Sequence, residues 1–286
     1  STEATKFLVK FDYNINDKNK LSLRYNHLNS STDVLASTSS SLGFGGRRGN
    51  LNAMNFQNTN YIIFENIRSI VAELNTRLSP TMTNSLIVGY TYQDESRGSR
   101  GDFFPMVDIL EDNATYTTFG FEPFTPSNEL RYKTFQIQDN LQIFKGKHTI
   151  TTGFSLERYE SENVFFPGSQ SAYVYNSLED FYADADAYLA GTTPTSTVRR
   201  FQVRYSNIPG QEKPVQPLKV TYGGIYGQDE IQVNKDFLVT VGLRIDVPFF
   251  AETGFRNQEV EGFNFRNPAG ETIKVRTDKL PDANIL

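Results

Sequence analysis

Cysteine is absent from the 286 residues, which excludes disulfide staples, thiolate metal ligands and cysteine catalysis. Histidine occurs only as His27 and His148, too few for a histidine-rich metal centre. A net charge of −5 gives no electrostatic basis for binding nucleic acid. No apolar run is long enough for a transmembrane helix, and the mean hydropathy of −0.46 is that of a water-facing chain. One class escapes this last exclusion. A membrane barrel exposes every second residue to lipid, so its average hydropathy stays low. No Ser/His/Asp set or carboxylate pair stands out, so the sequence gives no ground for an enzyme or a cofactor.

What the chain has in quantity is alternation. In Phe237–Asp246, the residues Phe237, Val239, Val241, Leu243 and Ile245 alternate with Leu238, Thr240, Gly242, Arg244 and Asp246. A period of two puts these sets on opposite faces of a strand, one apolar and one largely polar. The pattern recurs. Phe7, Val9, Phe11, Tyr13 and Ile15 alternate with Lys10, Asp12 and Asn14, and Leu21, Leu23 and Tyr25 with Ser22, Arg24 and Asn26. Ala72, Leu74 and Leu78 oppose Glu73, Asn75 and Arg77. Phe135, Ile137, Leu141 and Ile143 oppose Gln136, Gln138, Asn140 and Gln142, with Asp139 interrupting the apolar side. Phe201, Val203 and Tyr205 against Arg200, Gln202 and Arg204 read as a further strand.

Short polar turns lie near residues 17, 81, 146 and 235, and long Ser/Gly/Pro-rich loops lie between them. Alternating short and long connections is the asymmetry of an outer-membrane barrel, with turns on the periplasmic side and loops outside. The expected fold is therefore all-β: an antiparallel transmembrane β-barrel with long extracellular loops. About nine strands are counted, and closed barrels leave no edge, so residues 1–286 read as a portion of one larger barrel without plug or N-terminal domains. Gly223-Gly224, where the apolar phase slips, predicts a β-bulge. Within the third long loop, Ser177 followed by Leu178, Phe181, Tyr182, Ala185, Tyr188 and Leu189, then Gly191 and Pro194, predicts a capped helix with one apolar stripe.

The pieces KFDYNINDKNKLSLRYN, NVFFPGSQSAYVYNSLEDF, YGGIYGQDEIQVNKDFLVTVGLRIDVPFF and KLPDANIL resemble a TonB-dependent outer-membrane receptor. More narrowly, they resemble the Oar-like Bacteroidetes type, which carries a carboxypeptidase-regulatory-like domain. The resemblance implies a 22-stranded barrel closed by a plug and energised through TonB. Ile231 stands where the family has an aromatic after Gln-Asp-Glu. It implies a Gram-negative cell outer membrane, uptake or handling of a large ligand, and as partners outer-membrane lipid, the rest of the barrel and plug, the TonB complex and a surface lipoprotein or other outer-membrane subunit. Two alternatives stand beside transport: a surface binding or scaffold subunit of a larger complex, and a soluble all-β adhesin.

Candidate ligand-facing residues are those on polar strand faces: Arg24, Glu73, Arg77, Glu157, Arg204, Arg244 and Asp246. A solvated wall is the simpler role for them, because barrel interiors are polar whatever they carry. Gly43–Gly49 resembles a phosphate loop but lacks the Lys-Ser/Thr ending, so a plain loop is favoured. Glu179, Asp180, Asp184 and Asp186 do not follow a calcium-loop spacing and read as acidic solvation. Phe103, Phe104, Phe119, Phe121 and Phe124 suit either ligand stacking or packing within a loop.

Overall fold

The computed structural model describes residues 1–39, 51–195, 198–206, 210–251, 253 and 264–274. The candidate phosphate loop at 43–49 and the terminal KLPDANIL lie outside the described residues. In chain order the strands begin β1 (Thr2–Asn16), β2 (Asn19–Val34), β3 (Met54–Asn55), β4 (Tyr61–Ser79) and β5 (Met82–Ser99). Then follow β6 (Met106–Glu111), β7 (Ala114–Phe119), β8 (Asn128–Lys145), β9 (His148–Phe165) and β10 (Ala172–Tyr175). Helix α1 (Leu178–Leu189), β11 (Arg200–Gln202), β12 (Gln216–Asn234), β13 (Phe237–Phe250), β14 (Asn264–Arg266) and β15 (Thr272–Lys274) complete the described chain.

Eight of these strands form one antiparallel sheet in sequential order, β1-β2-β4-β5-β8-β9-β12-β13. Its four short turns have local chemistry that fixes them. Asn16 Oδ1 accepts from the backbone N–H groups of Lys18 and Asn19, at 2.9 and 3.0 Å. Ser79 Oγ accepts from Thr81 N–H, and Asn234 Oδ1 from Asp236 N–H. In the remaining turn Gly146 takes φ +61°, a conformation that costs glycine little.

The register puts apolar residues in continuous rows across the sheet. One row reads Phe11, Leu23, Ala72, Val88, Ile137, Leu156, Gly223 and Val247. The row beside it, toward the long loops, reads Val9, Tyr25, Ile70, Tyr90 and Phe135. This face is not a packed core. Ile225, on a strand flanked by neighbours on both sides, is 62% exposed, and Leu243 is 72% exposed. An apolar face this extensive and this uncovered needs a hydrocarbon environment.

The sequence and structure part company at several points. The wall has eight strands where about nine are counted, because Phe201 leaves it: β11 pairs with Ala172–Val174 of β10 in a second, five-stranded sheet, β11-β10-β6-β7-β3. Arg204 lies past the end of β11, its N–H donating to the Gly168 carbonyl, and is not a wall residue. Gly223-Gly224 carries no bulge. The register runs unbroken there on both sides, and shifts between Gln232 and Asn234 instead. The strands also run further toward the long loops than alternation indicates, β2 to Val34 and β5 to Ser99. Beyond the apolar rows neither face meets hydrocarbon, so nothing keeps the period-two pattern in the sequence.

The five-stranded sheet and α1 form a small module at the long-loop end. Met106, Phe124, Ala172 and Val174 fill one face. Val107, Ile109 and Tyr175 fill the other, with Leu178 and Phe181 of α1 packed on them. The helix has the predicted start: Ser177 Oγ accepts from Asp180 N–H at 3.2 Å. Its end is equally local, with Gly191 at φ +67° and the pair Gly191 N–H to Tyr188 O and Thr192 N–H to Ala187 O of a Schellman turn. Only part of the predicted stripe is used. Tyr182, Tyr188 and Leu189 stay exposed.

Candidate functional site

The opposite face of the wall is polar, and its densest cluster spans β8, β9, β12 and β13. Arg244 on β13 reaches across β12: its Nε lies 2.8 Å from Asp246 Oδ2, and its Nη2 donates to Ser155 Oγ of β9 at 2.8 Å. The strand it crosses has Gly224 at that point. A Cβ there would fall 2.3 Å from Asp246 Oδ1 and 2.7 Å from Arg244 Nη2. Glycine at 224 thus makes room for a side-chain bridge over the strand, which accounts for the glycine where a bulge is expected from the sequence.

The Arg244 guanidinium also lies 5.0 Å from the centroid of the Tyr226 ring, within range of a cation–π attraction. Tyr226 in turn leans over Gly153 of β9. Its hydroxyl donates to Asn140 Oδ1 and accepts from Gln138 Nε2 at 3.1 Å. Gln136 over Gly89 and Gln228 beside Gly242 repeat the device elsewhere on this face. Long polar side chains slant onto glycines of the neighbouring strand and hold each other in fixed positions.

Of the sequence-derived candidates, Glu157, Arg244 and Asp246 converge on one depression with Gln136, Gln138, Ser155 and Tyr222. Arg77 lines a second depression, nearer the short turns, with Lys18, Asn140, Gln142, Gln228 and Glu230. Glu73 accepts from Asn75 Nδ2 at 2.8 Å on the same polar face of β4. Arg24 sits apart on β2, in register with Lys10 and Val71. Arg204 is remote from all of these. Sequence reasoning missed Tyr226, Ser155 and the two glycines as members of the cluster. Their signal is the alternation Tyr222-Gly224-Tyr226, in which aromatics flank a glycine on the polar face.

Two carboxylates, Asp139 and Asp229, lie within the apolar rows instead. Asp139 accepts from Asn84 Nδ2 at 2.9 Å, and His148 Nδ1 donates to Asp229 Oδ2 at 2.6 Å. Each carboxylate that interrupts the apolar pattern has a partner on the neighbouring strand, which lowers the cost of leaving water.

In the loop module, Asp184 accepts from the Tyr175 hydroxyl at 2.6 Å. Burial, then this carboxylate, pushes the Tyr175 hydroxyl above its ordinary pKa. Asp180 joins the helix cap through its backbone N–H, whereas Asp184 is engaged through its carboxylate. Phe119 packs edge-on against Phe181 with centroids 5.6 Å apart, and Phe124 is buried. Phe103 meets Phe121 at 5.5 Å but remains 64% exposed. Among the described residues no three His, Cys, Asp or Glu side chains are grouped to hold a metal. No described helix is long and apolar enough to cross a membrane, which says nothing of strands.

Residues 1–285 match the family described as "Outer membrane beta barrel domain". No curated protein matches the sequence. Among solved structures, the chain is similar to the open form of the ferric-catecholate import receptor Fiu from E. coli K12, with a TM-score of 0.49 and 14% identity. That similarity covers 86% of this chain and 37% of the receptor, so the chain spans well under half of that structure's length.

Proposed function

The chain belongs to the outer membrane beta barrel domain family and resides in the cell outer membrane, and we propose that it is a portion of the wall of a TonB-dependent receptor that admits a large ligand. In this reading the polar face lines the lumen, the apolar face meets lipid, and the plug, the remaining strands and the TonB contact belong to other parts of the protein. The narrower Oar-like type is part of the same proposal and rests on the quoted sequence pieces.

The observation that supports transport best is the Arg244–Asp246–Ser155–Tyr226 network. It presents a braced array of donors, acceptors and a ring face toward the lumen, and it does so without a nucleophile–base arrangement. Glu157, Arg244 and Asp246 are the proposed ligand- or plug-contacting residues of this patch, with Arg24, Glu73 and Arg77 elsewhere along the lumenal wall.

The experiment uses cells carrying the full-length protein and a defined mixture of solutes too large for porins. Solute depletion that requires both the protein and TonB supports the reading. Equal depletion without TonB removes it. Retention of a solute at the cell surface without uptake favours the second reading, a surface binding or scaffold subunit. The exposed Tyr182, Tyr188 and Leu189 of α1 speak for that role.

A further inference from the structure

Just beyond the lipid-facing apolar rows, on the long-loop side, three cations stand together on adjacent strands. Lys133 of β8, Glu160 of β9 and Lys219 of β12 are direct register partners. Arg158, two residues from Glu160 on the same face, is the register partner of Phe135 in the last aromatic row. Glu160 is held by Arg158, whose Nη2 lies 2.6 Å from its Oε1. Lys133 and Lys219 form no ion pair with any described residue. One carboxylate therefore stands among three cations, all three exposed. Further acids lie in the rows beyond, where Glu162 and Asp94 stand opposite Arg131, and Arg131 is held by Asp94 and by Glu129 two residues further out.

This placement has a simple chemical reading. Apolar side chains below fix the depth of the patch at the boundary between acyl chains and headgroups. Lysine stems can lie along the apolar surface while their ammonium groups stay at that boundary. A guanidinium and two ammonium groups at headgroup depth are a phosphate-binding arrangement, and each cation near an anionic lipid surface adds about a fivefold gain in affinity. We propose that Lys133, Arg158 and Lys219 bind the phosphates of a phosphorylated glycolipid in the outer leaflet. The inference depends on the wall's place in the membrane and not on what the receptor transports.

The test uses the full-length protein, folded and delipidated in a neutral detergent, with bisphosphorylated lipid A as the probe. The wild type is expected to bind it. The K133Q/R158Q/K219Q variant should lose on the order of 100-fold in affinity, whereas K133R/K219R keeps binding and K235Q, at the opposite rim, is unchanged. Heat-modifiable migration reports folding separately. If the triple variant does not fold, K133Q/K219Q, which leaves the Arg158–Glu160 pair in place, should still lose about 30-fold. Dephosphorylated lipid A should bind more weakly, and inorganic phosphate at the same concentration should not compete. Undiminished binding by the folded glutamine variants, equal binding of the dephosphorylated lipid, or competition by inorganic phosphate would each overturn the proposal.

Discussion

Tyr226 lies across Gly153: a Cβ built on Gly153 would sit 2.8 Å from the Tyr226 hydroxyl oxygen and 2.2 Å from the carbonyl oxygen of Asp139. The pair locks β9, β12 and, through Asn140 and Gln138, β8. Gly153→Ala is expected to destabilise the folded wall by about 1–3 kcal/mol through overpacking. Tyr226→Phe keeps the ring but leaves the two amides without the hydroxyl, at about 1–3 kcal/mol if they stay dry. Urea unfolding of the full-length protein, followed by gel mobility, measures both.

The register predicts an opposite sensitivity on adjacent residues of one strand. Val88 faces lipid between Ala72 and Ile137, while Ile87 lines the lumenal depression. Val88→Arg should cost roughly 2–4 kcal/mol near the bilayer midplane and Ile87→Arg far less. Val241 is a poorer site for this test, because Asp229 is its register partner and would offset part of an added positive charge.

The wall was legible because lipid on one side and lumen on the other impose a strict period of two. That is why Phe7, Phe11, Leu23, Leu141, Val239 and Leu243 could be assigned to one face and Asn14, Arg24, Gln138, Thr240 and Arg244 to the other. Outside the membrane that constraint ends. Phe201, Val203 and Tyr205 alternate like wall residues, yet Phe201 belongs to the short β11 of the loop module, where it packs at 4.8 Å on Tyr173, and Val203 and Tyr205 lie past that strand's end. Helix α1 was legible from its caps, since Ser177 and Gly191 act locally. Which of its apolar residues are buried depends on distant Val107 and Ile109, so the exposure of Tyr182, Tyr188 and Leu189 is not legible in the stripe. The cluster around Arg244 was half visible. Arg244, Asp246 and Glu157 carry charge and stand out, whereas Gly224 matters only for the space it leaves.

The caps of α1 can be removed without touching the wall. Ser177→Ala should cost the helix about 0.5–2 kcal/mol, and Gly191→Ala about 1 kcal/mol for the positive φ. Amide exchange should rise across residues 178–189 and remain unchanged in β8 and β9. Phe181→Ala should have a larger effect than Tyr188→Ala, since only Phe181 is packed on the module's core.

At the long-loop end, Asp33 accepts from Ser1 Oγ at 2.7 Å and from Arg100 Nε at 3.0 Å. These contacts, the Ser1 bond first, lower its carboxyl pKa from 3.8 to about 2. A depressed folded pKa means that the latch is fully present above the unfolded value and is lost as pH falls from about 3.8 through about 2. Amide exchange at residues 33–36 and 99–101 should therefore be level from pH 7 to 5 and accelerate, after correction for intrinsic rates, only in that acidic window. Asp33→Asn should abolish the acidic step.

The central claim, that one face of this sheet meets lipid and the other a water-filled lumen, is tested most directly by single cysteines in the full-length protein embedded in bilayers. The 286 residues contain no cysteine, so within this wall each introduced thiol reports alone. Adjacent pairs serve best: Ile137 with Gln138, and Leu156 with Ser155. A membrane-impermeant maleimide should label residues 138 and 155 and leave 137 and 156 largely unreacted, with a lipid-borne quencher reversing the order for fluorophores at the same sites. Equal aqueous labelling within both pairs would contradict the account.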